Sequence, residues 1–362
     1  MRLLYITYID INGTASSGSS VRPKKMYEAF CRLGIEVKLL ECQQNKRKLR
    51  CTKVKEIIKW LNLEQPDICY IESPSGPIFN YIDIKLIKLL HKKKIPIGYF
   101  YRDCFWLFPE MMKGLSWWKR MLIVIMNKFQ LSILRDNCDI IYFPSKGATG
   151  LFSFAKLNKS GMLPPAAEVQ FDSMPNEQEV LRKCIYIGAV SEVDGTIELI
   201  QALELLNRNE EKNKIGLILV CREKEWEKTK IHIEEIPEWL DVRHISGAQL
   251  VQAYREVDVA IFPRQKDIYL DLAVPVKLFE YFGFGKPVIS TRRTEVERFI
   301  NLYQCGLLCG DSAEEIAAAI KQFYEDENLQ KKLYENVRVA AKQNRWEDRA
   351  KQVLKDLTTT NL

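Results

Sequence analysis

Two successive series of short apolar runs, each run separated from the next by a longer amphipathic stretch, fill almost the whole chain. Such alternation marks strand-helix units, which assemble into parallel sheets with helices on both faces. The first series comprises Leu3 to Ile9, Ile35 to Leu40, Ile68 to Ile71, Ile95 to Phe100 and Ile140 to Phe143. These runs are apolar nearly throughout, as strands covered on two sides must be. Helices are expected at Val21 to Leu33, Thr52 to Leu61, Tyr81 to Lys92 and Trp117 to Arg135. The second series places strands at Cys184 to Ile187, Ile215 to Cys221, Val242 to Ile245, Val259 to Phe262 and Val288 to Ser290, with helices between them and at the end. From Leu157 to Glu177 turn residues crowd together and the periodicity lapses, so the domain boundary is expected there. The expected division is 1–165, then 175–345, with 346–362 a C-terminal helix packing back toward the first domain.

Composition narrows the class. The 362 residues are 47% hydrophobic, enough to build a core for each domain. The net charge of +7 arises from 54 basic against 47 acidic residues. That balance suits an anionic small molecule, a membrane surface or nucleic acid. The ten cysteines lie mostly in strand-like runs, with no Cys-x-x-Cys spacing, which argues against zinc and against a disulfide framework. Met1 to Asp10 is too short for a secretory apolar region and reads as a first strand. No apolar run reaches the roughly 18 residues that span a bilayer. A cytoplasmic location is expected, and any membrane contact is peripheral.

The segment Val274 to Thr291 (VPVKLFEYFGFGKPVIST) reads as a helix that opens at Pro275, closes near Gly283 to Gly285 and passes into a buried strand. The unpaired amides of such a helix start, beginning at Val276, attract phosphate. Lys277 adds a full charge in the first turn, and Glu280 lies three residues on along the same face. A carboxylate there can accept hydrogen bonds from two vicinal hydroxyls, as a ribose presents them.

With these residues in view, the chain resembles the retaining, family-four-like glycosyltransferases of the GT-B fold, a group that includes many bacterial capsule and cell-wall polysaccharide enzymes. Pro275 to Thr291 looks like that group's donor helix and the strand after it. Ile185 to Glu192 (IYIGAVSE) looks like the strand and loop that open its nucleotide domain, and Ile245 to Pro263 (ISGAQLVQAYREVDVAIFP) like its strand-helix-strand element. The likeness extends through Gly306 to Trp346. It implies an α/β architecture of two Rossmann-like domains with parallel sheets facing across a cleft. Residues 1–165 would serve the acceptor, and 175–345 the nucleotide-sugar. It further implies that Glu280 holds the ribose and that amides near Gly188 approach the diphosphate. The chain departs from the pattern at three places. Leu272 stands where the group often has a second Glu, with only Asp271 beside it, and Ala189 and Asp194 replace a basic pair. Phosphate charge is therefore expected to be met by Lys277, by Arg264 or Lys266, or by Arg222.

In the first half, the loop Asp10 to Met26 (DINGTASSGSSVRPKKM) joins strand to helix through small residues. Gly18, Ser19, Ser20 and Arg22 are candidates to meet the acceptor or the donor sugar, although a capped flexible turn would use the same residues. The loop is not Gly-x-Gly-x-x-Gly, which disfavours a dinucleotide site. After the fourth strand, Arg102 and Asp103 either orient an acceptor hydroxyl and offset phosphate charge, or pair with each other structurally. The three histidines, His91, His232 and His244, offer little for catalysis. Basic residues concentrate at Lys46, Arg47, Lys48, Arg50, Lys53 and Lys55 and at Lys92 to Lys94. From Met111 to Arg135 no acid occurs, while Trp117, Trp118, Lys119 and Arg120 combine aromatic and basic character. This is either a patch that rests on anionic lipid or a solvated basic surface. No nucleic-acid module accompanies the charge.

The reading that joins these features is a hexosyltransferase with Lys277, Asp103 and Arg102 as catalytic candidates. It would move a sugar from a nucleotide diphosphate-sugar, a UDP-sugar by expectation, to a hydroxyl of a glycan or lipid-linked glycan at the inner face of the membrane. Lacking an Asp-x-Asp loop element, it is expected to use no metal, and no cofactor beyond the nucleotide-sugar. Two alternatives stay open: a catalytically silent partner subunit, and a nucleotide-sugar epimerase on the same scaffold.

Overall fold

The computed structural model describes residues 1–11, 18–171, 180–229 and 235–359. The chain divides into two compact units, Met1–Pro165 with Trp346–Leu362, and Ala166–Arg345.

The first unit alternates β1 (Arg2–Thr7), α1 (Gly18–Arg32), β2 (Glu36–Glu41), α2 (Arg47–Trp60), β3 (Ile68–Glu72), α3 (Tyr81–Lys92), β4 (Ile97–Phe100), α4 (Trp117–Asn137), β5 (Ile140–Phe143), α5 (Lys146–Leu151) and β6 (Ser160–Met162). The strands form one parallel sheet in the order β2-β1-β3-β4-β5-β6. In the second unit, β7 (Lys183–Ile187), α6 (Thr196–Asn207), β8 (Gly216–Val220), α7 (Glu223–Thr229), β9 (Leu240–Arg243), α8 (Gln249–Arg255), β10 (Val259–Phe262), α9 (Val276–Gly283), β11 (Val288–Thr291), α10 (Thr294–Tyr303), β12 (Gly306–Cys309), α11 (Ala313–Glu325) and α12 (Glu327–Lys342) follow. The final helix, α13 (Trp346–Thr358), returns to the first unit, where it packs on α1 and against β3 and β4.

Pleating sends alternate strand residues to opposite faces, and this builds the cores. In β7, Ile185 and Ile187 join Tyr254, Leu278, Phe279 and Phe282 in one cluster. Cys184 and Tyr186 join Leu199, Leu203, Ile316 and Phe323 in another. In β4, Gly98 lies under Leu357 of α13, while the hydroxyl of the next residue, Tyr99, accepts from Gln130 of α4 at 3.1 Å.

The second sheet runs β12-β11-β10-β7-β8-β9, all parallel. Strands added outward in both directions from β7 leave a crevice between β7 and β10, beyond their carboxyl ends, where the chain's winding reverses. The equivalent point of the first sheet lies between β1 and β3. All ten cysteines are free. No helix among the described residues is long and apolar enough to cross a membrane.

Two strands, β6 and β12, lie outside the expected set. The expected basic face also needs correction at Arg50, whose guanidinium is fully buried. It bonds Asp83 Oδ1 at 2.8 Å, with further bonds to the Thr7 and Cys42 carbonyls. Arg50, Val54 and Ile57 form the buried stripe of α2, so this arginine joins α2 to α3 instead of facing solvent.

Candidate active site

Several of the candidate residues of the second unit collect around the β7–β10 crevice. Pro275, in extended conformation, ends the preceding loop and starts α9, so the amides of Val276 and Lys277 have no intrahelical acceptor. Glu280 lies one turn later with both carboxylate oxygens engaged. Tyr254 Oη donates to Oε1 at 3.2 Å and Lys277 Nζ to Oε2 at 3.0 Å. Tyr254 is fully buried and stacks on Phe284, ring centroids 3.9 Å apart. Burial, reinforced by Glu280, pushes its hydroxyl well above the ordinary phenol value. It therefore stays a proton donor and fixes the carboxylate's direction. Nothing in the sequence marked Tyr254 for this role, since an aromatic in a helical run reads first as core.

The loops after β7 and β10 are locked together. Gly195 has φ +68°, and a Cβ there would strike the Pro263 carbonyl, so no other residue fits this close approach. Gln265 N bonds Val193 O at 2.9 Å across the same contact. Gly188 follows β7 and donates its N–H to Val220 O at 3.0 Å. A side chain on it would collide with the Tyr186 phenol, which bonds Ala189 O. Tyr281 Oη of α9 accepts from Ile187 N at 3.2 Å, tying this helix to the end of β7.

Arg264 stands at the crevice, directly after β10. Its Nη2 lies 3.3 Å from Asp194 Oδ1, and Ser191 Oγ holds Asp194 Oδ2 at 2.6 Å. Its Nε is buried without a hydrogen-bond partner. The acidic residue that replaces a basic one after β7 is thus matched by an arginine from the neighbouring loop, a pairing that spacing alone does not reveal. Arg222 instead lies exposed just before α7 and binds Glu225 Oε1 of that helix at 2.9 Å, and Lys266 is exposed. Asp271, beside Leu272, faces Arg293 at 3.7 Å, and Arg293 also reaches Asp311 Oδ2 at 3.1 Å.

In the first unit, residues 12–17 of the opening loop lie outside the described residues, as does His232 of the second unit. Gly18 and Ser19 open α1, and Ser20 is half-buried. Arg22 does not reach toward a ligand as expected. It is 4% exposed and bonds Glu72 Oε1, Leu163 O and Tyr70 Oη, with its guanidinium 3.5 Å from the centre of the Phe100 ring. A cation this deep is held by what surrounds it, and here it joins α1 to β3 and to the chain after β6. Glu72, fully buried, takes a second bond from Tyr70 Oη at 2.8 Å, while its Oε2 lies 4.0 Å from Arg102 Nη2. Arg102 thus borders Glu72 as well as Asp103. Burial raises the affinity of Asp103 for a proton, against the opposing pull of Arg102 and a hydrogen bond with Ser75.

Among the described residues, no group of three or more His, Cys, Asp or Glu is placed to hold a metal ion. What the β7–β10 site offers is a helix start with a lysine for an anion, an oriented carboxylate for hydroxyls and a second cation, Arg264, on the loop after β10.

Two doubly wound parallel units give the protein the GT-B fold. The fold is shared with sucrose-phosphate synthase from Thermosynechococcus elongatus (TM-score 0.67, 14% identity, 98% of each chain covered). It is shared too with Anabaena Alr3699/HepE in complex with UDP (0.65, 13%, 99% of this chain and 100% of that one), and with the UDP-forming α,α-trehalose-phosphate synthase from Burkholderia xenovorans in complex with glucose-6-phosphate (0.65, 12%, 99% and 100%). Residues 171–340, which contain Tyr254, Arg264, Lys277 and Glu280, match the family described as glycosyl transferases group 1, so the second unit carries a domain of that group and the protein is a glycosyltransferase. No curated protein matches it in sequence.

Proposed function

We propose that the protein transfers a sugar from a UDP-sugar to a hydroxyl of a glycan or lipid-linked glycan, with retention at the anomeric carbon and without a metal ion or further cofactor. The observation that carries this reading is the Lys277–Glu280–Tyr254 arrangement at the start of α9. Lys277 and the first amides of α9 take the diphosphate, and Glu280, aimed by Tyr254, accepts the ribose hydroxyls. Charge builds on the leaving diphosphate as the glycosidic bond breaks, and preorganised donors at that point lower the barrier most. Arg264 supplies the second positive charge. Asp103, Arg102 and Ser20 are the acceptor-side groups of this reading. UDP as the nucleotide is supported by fold neighbours solved with UDP, UDP-glucose and UDP-2-fluoro glucose. In this reading the acceptor lies at the inner face of the membrane.

A second reading, a non-catalytic subunit that kept the fold, is favoured by Asp194, which already neutralises Arg264. UDP release from a panel of UDP-hexoses, measured with and without lipid-linked glycan, separates the two. The transferase reading predicts acceptor-dependent release that Lys277→Met cuts by about 100-fold or more. Nucleotide binding with no release from any donor supports the silent subunit.

A further inference from the structure

Helix α4 buries Leu131, Ile133 and Leu134 near its end, but over its first three turns the apolar side chains face outward. Asn127 and Gln130 are buried, where Asn127 Oδ1 accepts from Tyr101 Oη at 2.8 Å and Gln130 Oε1 from Ile78 N at 2.7 Å. Trp117 is 73% exposed and Phe129 61%, with Trp118, Met121, Leu122 and Ile125 about half exposed between them. At about 100° per residue, Trp118, Met121, Leu122, Ile125 and Phe129 form one stripe opposite Asn127. A surface helix of a water-soluble protein turns its apolar stripe inward, so the outward stripe from Trp118 to Phe129 suits another apolar medium. The stripe is about 18 Å long, too short to span a bilayer and suited to lying along its surface.

Charge selects the medium. Lys119 and Lys128 flank the stripe, and Lys119 Nζ sits 5.3 Å from the Trp118 ring centre. Helix α3 packs against α4, and α2 against α3. Helices α2 and α3 expose Arg47, Lys48, Lys55, Lys85, Lys88 and Lys92 against the single exposed acid Glu56. Protein interfaces are depleted in lysine at their centres, whereas an aromatic and aliphatic stripe with lysine flanks fits an anionic lipid surface. Arg120, by contrast, is committed to the Lys113 and Leu115 carbonyls and shapes the entry to the helix.

We propose that α4 docks the protein on an anionic bilayer, the stripe entering the headgroup–acyl boundary and the lysines of α2, α3 and α4 lying at phosphate level. The proposal deepens the reading of a membrane-bound acceptor and does not depend on the donor site. It is tested by flotation of the full-length protein with vesicles of phosphatidylcholine alone and vesicles containing phosphatidylglycerol. The expected result is binding to the second kind with a blue shift of tryptophan emission, and at least about tenfold weaker binding for Leu122→Glu/Ile125→Glu. The variant should keep wild-type circular dichroism and its melting shift with UDP, which separates failure at the membrane from failure at the donor site. Absence of vesicle binding, or binding removed by salt yet unchanged in the variant, overturns the proposal. Self-association abolished by the same substitutions overturns it as well, and assigns the stripe to a second copy of the chain.

Discussion

Lys286 shows how the fold forces a side chain away from its solution chemistry. It is 3% exposed, just before β11, with its ammonium bonded to Val257 O at 2.6 Å. Burial pulls its pKa from 10.5 down to about 8, partly opposed by Asp258 and assisted by Arg338. Below about pH 8 both folded and unfolded chains carry the proton, and the folded state bears the full cost of a buried charge. Between about 8 and 10.5 the unfolded chain binds more protons, so this site's contribution to stability rises with pH. The unfolding free energy of the wild type relative to Lys286→Met should therefore climb through that window by up to about 1.4 kcal/mol per pH unit. Denaturant titrations at a series of pH values measure it, and parallel curves would contradict it. Residues of the candidate site were legible where local chemistry marks them, as at Lys277 and Glu280 behind Pro275. Arg22 was misread because a basic residue after a small-residue loop looks ligand-facing until Glu72 and Tyr70, far away in sequence, close around it.

Helices and strands were legible in proportion to how much their own residues carry the signal. The apolar runs of β3 and β5 announce themselves, whereas β6 is only Ser160, Gly161 and Met162 at the sheet's edge, defined by its pairing with β5. For α4 the period was readable, but which stripe faces inward depends on Tyr101 and Ile78, the partners that Asn127 and Gln130 find. The α2–α3 junction is the clearest case of an element held by one ion pair. Removing one side of a buried pair strands the other charge, so Arg50→Met should destabilise the first unit by about 3–5 kcal/mol. Adding Asp83→Ala to that variant should recover part of the loss. Urea unfolding of both variants gives the comparison, and an additive second loss would contradict the pairing.

The chain crosses from first unit to second and back, and α13 closes the circuit. Gln352 bonds Met162 O at 3.0 Å, Tyr142 Oη bonds Asp356 at 3.1 Å, and Leu357 is fully buried against Gly98. Leu357→Ala leaves a cavity there and should cost the first unit about 2–5 kcal/mol, lowering its melting transition while leaving the donor-side unit's in place. A shift in the donor-side transition alone would contradict this. Apolar patterning made the α/β class readable because it is repeated in every strand-helix unit. The β7–β10 crevice was less legible, since strand order is a property of the whole sheet. The account as a whole stands on nucleotide binding at the start of α9, and binding to the native state must raise its stability. Melting curves with UDP, GDP, ADP and CMP, on wild type and Glu280→Ala, test it most directly. The account predicts a rise with UDP that is largely lost in Glu280→Ala; no rise with any nucleotide, or a rise the substitution leaves intact, would contradict it.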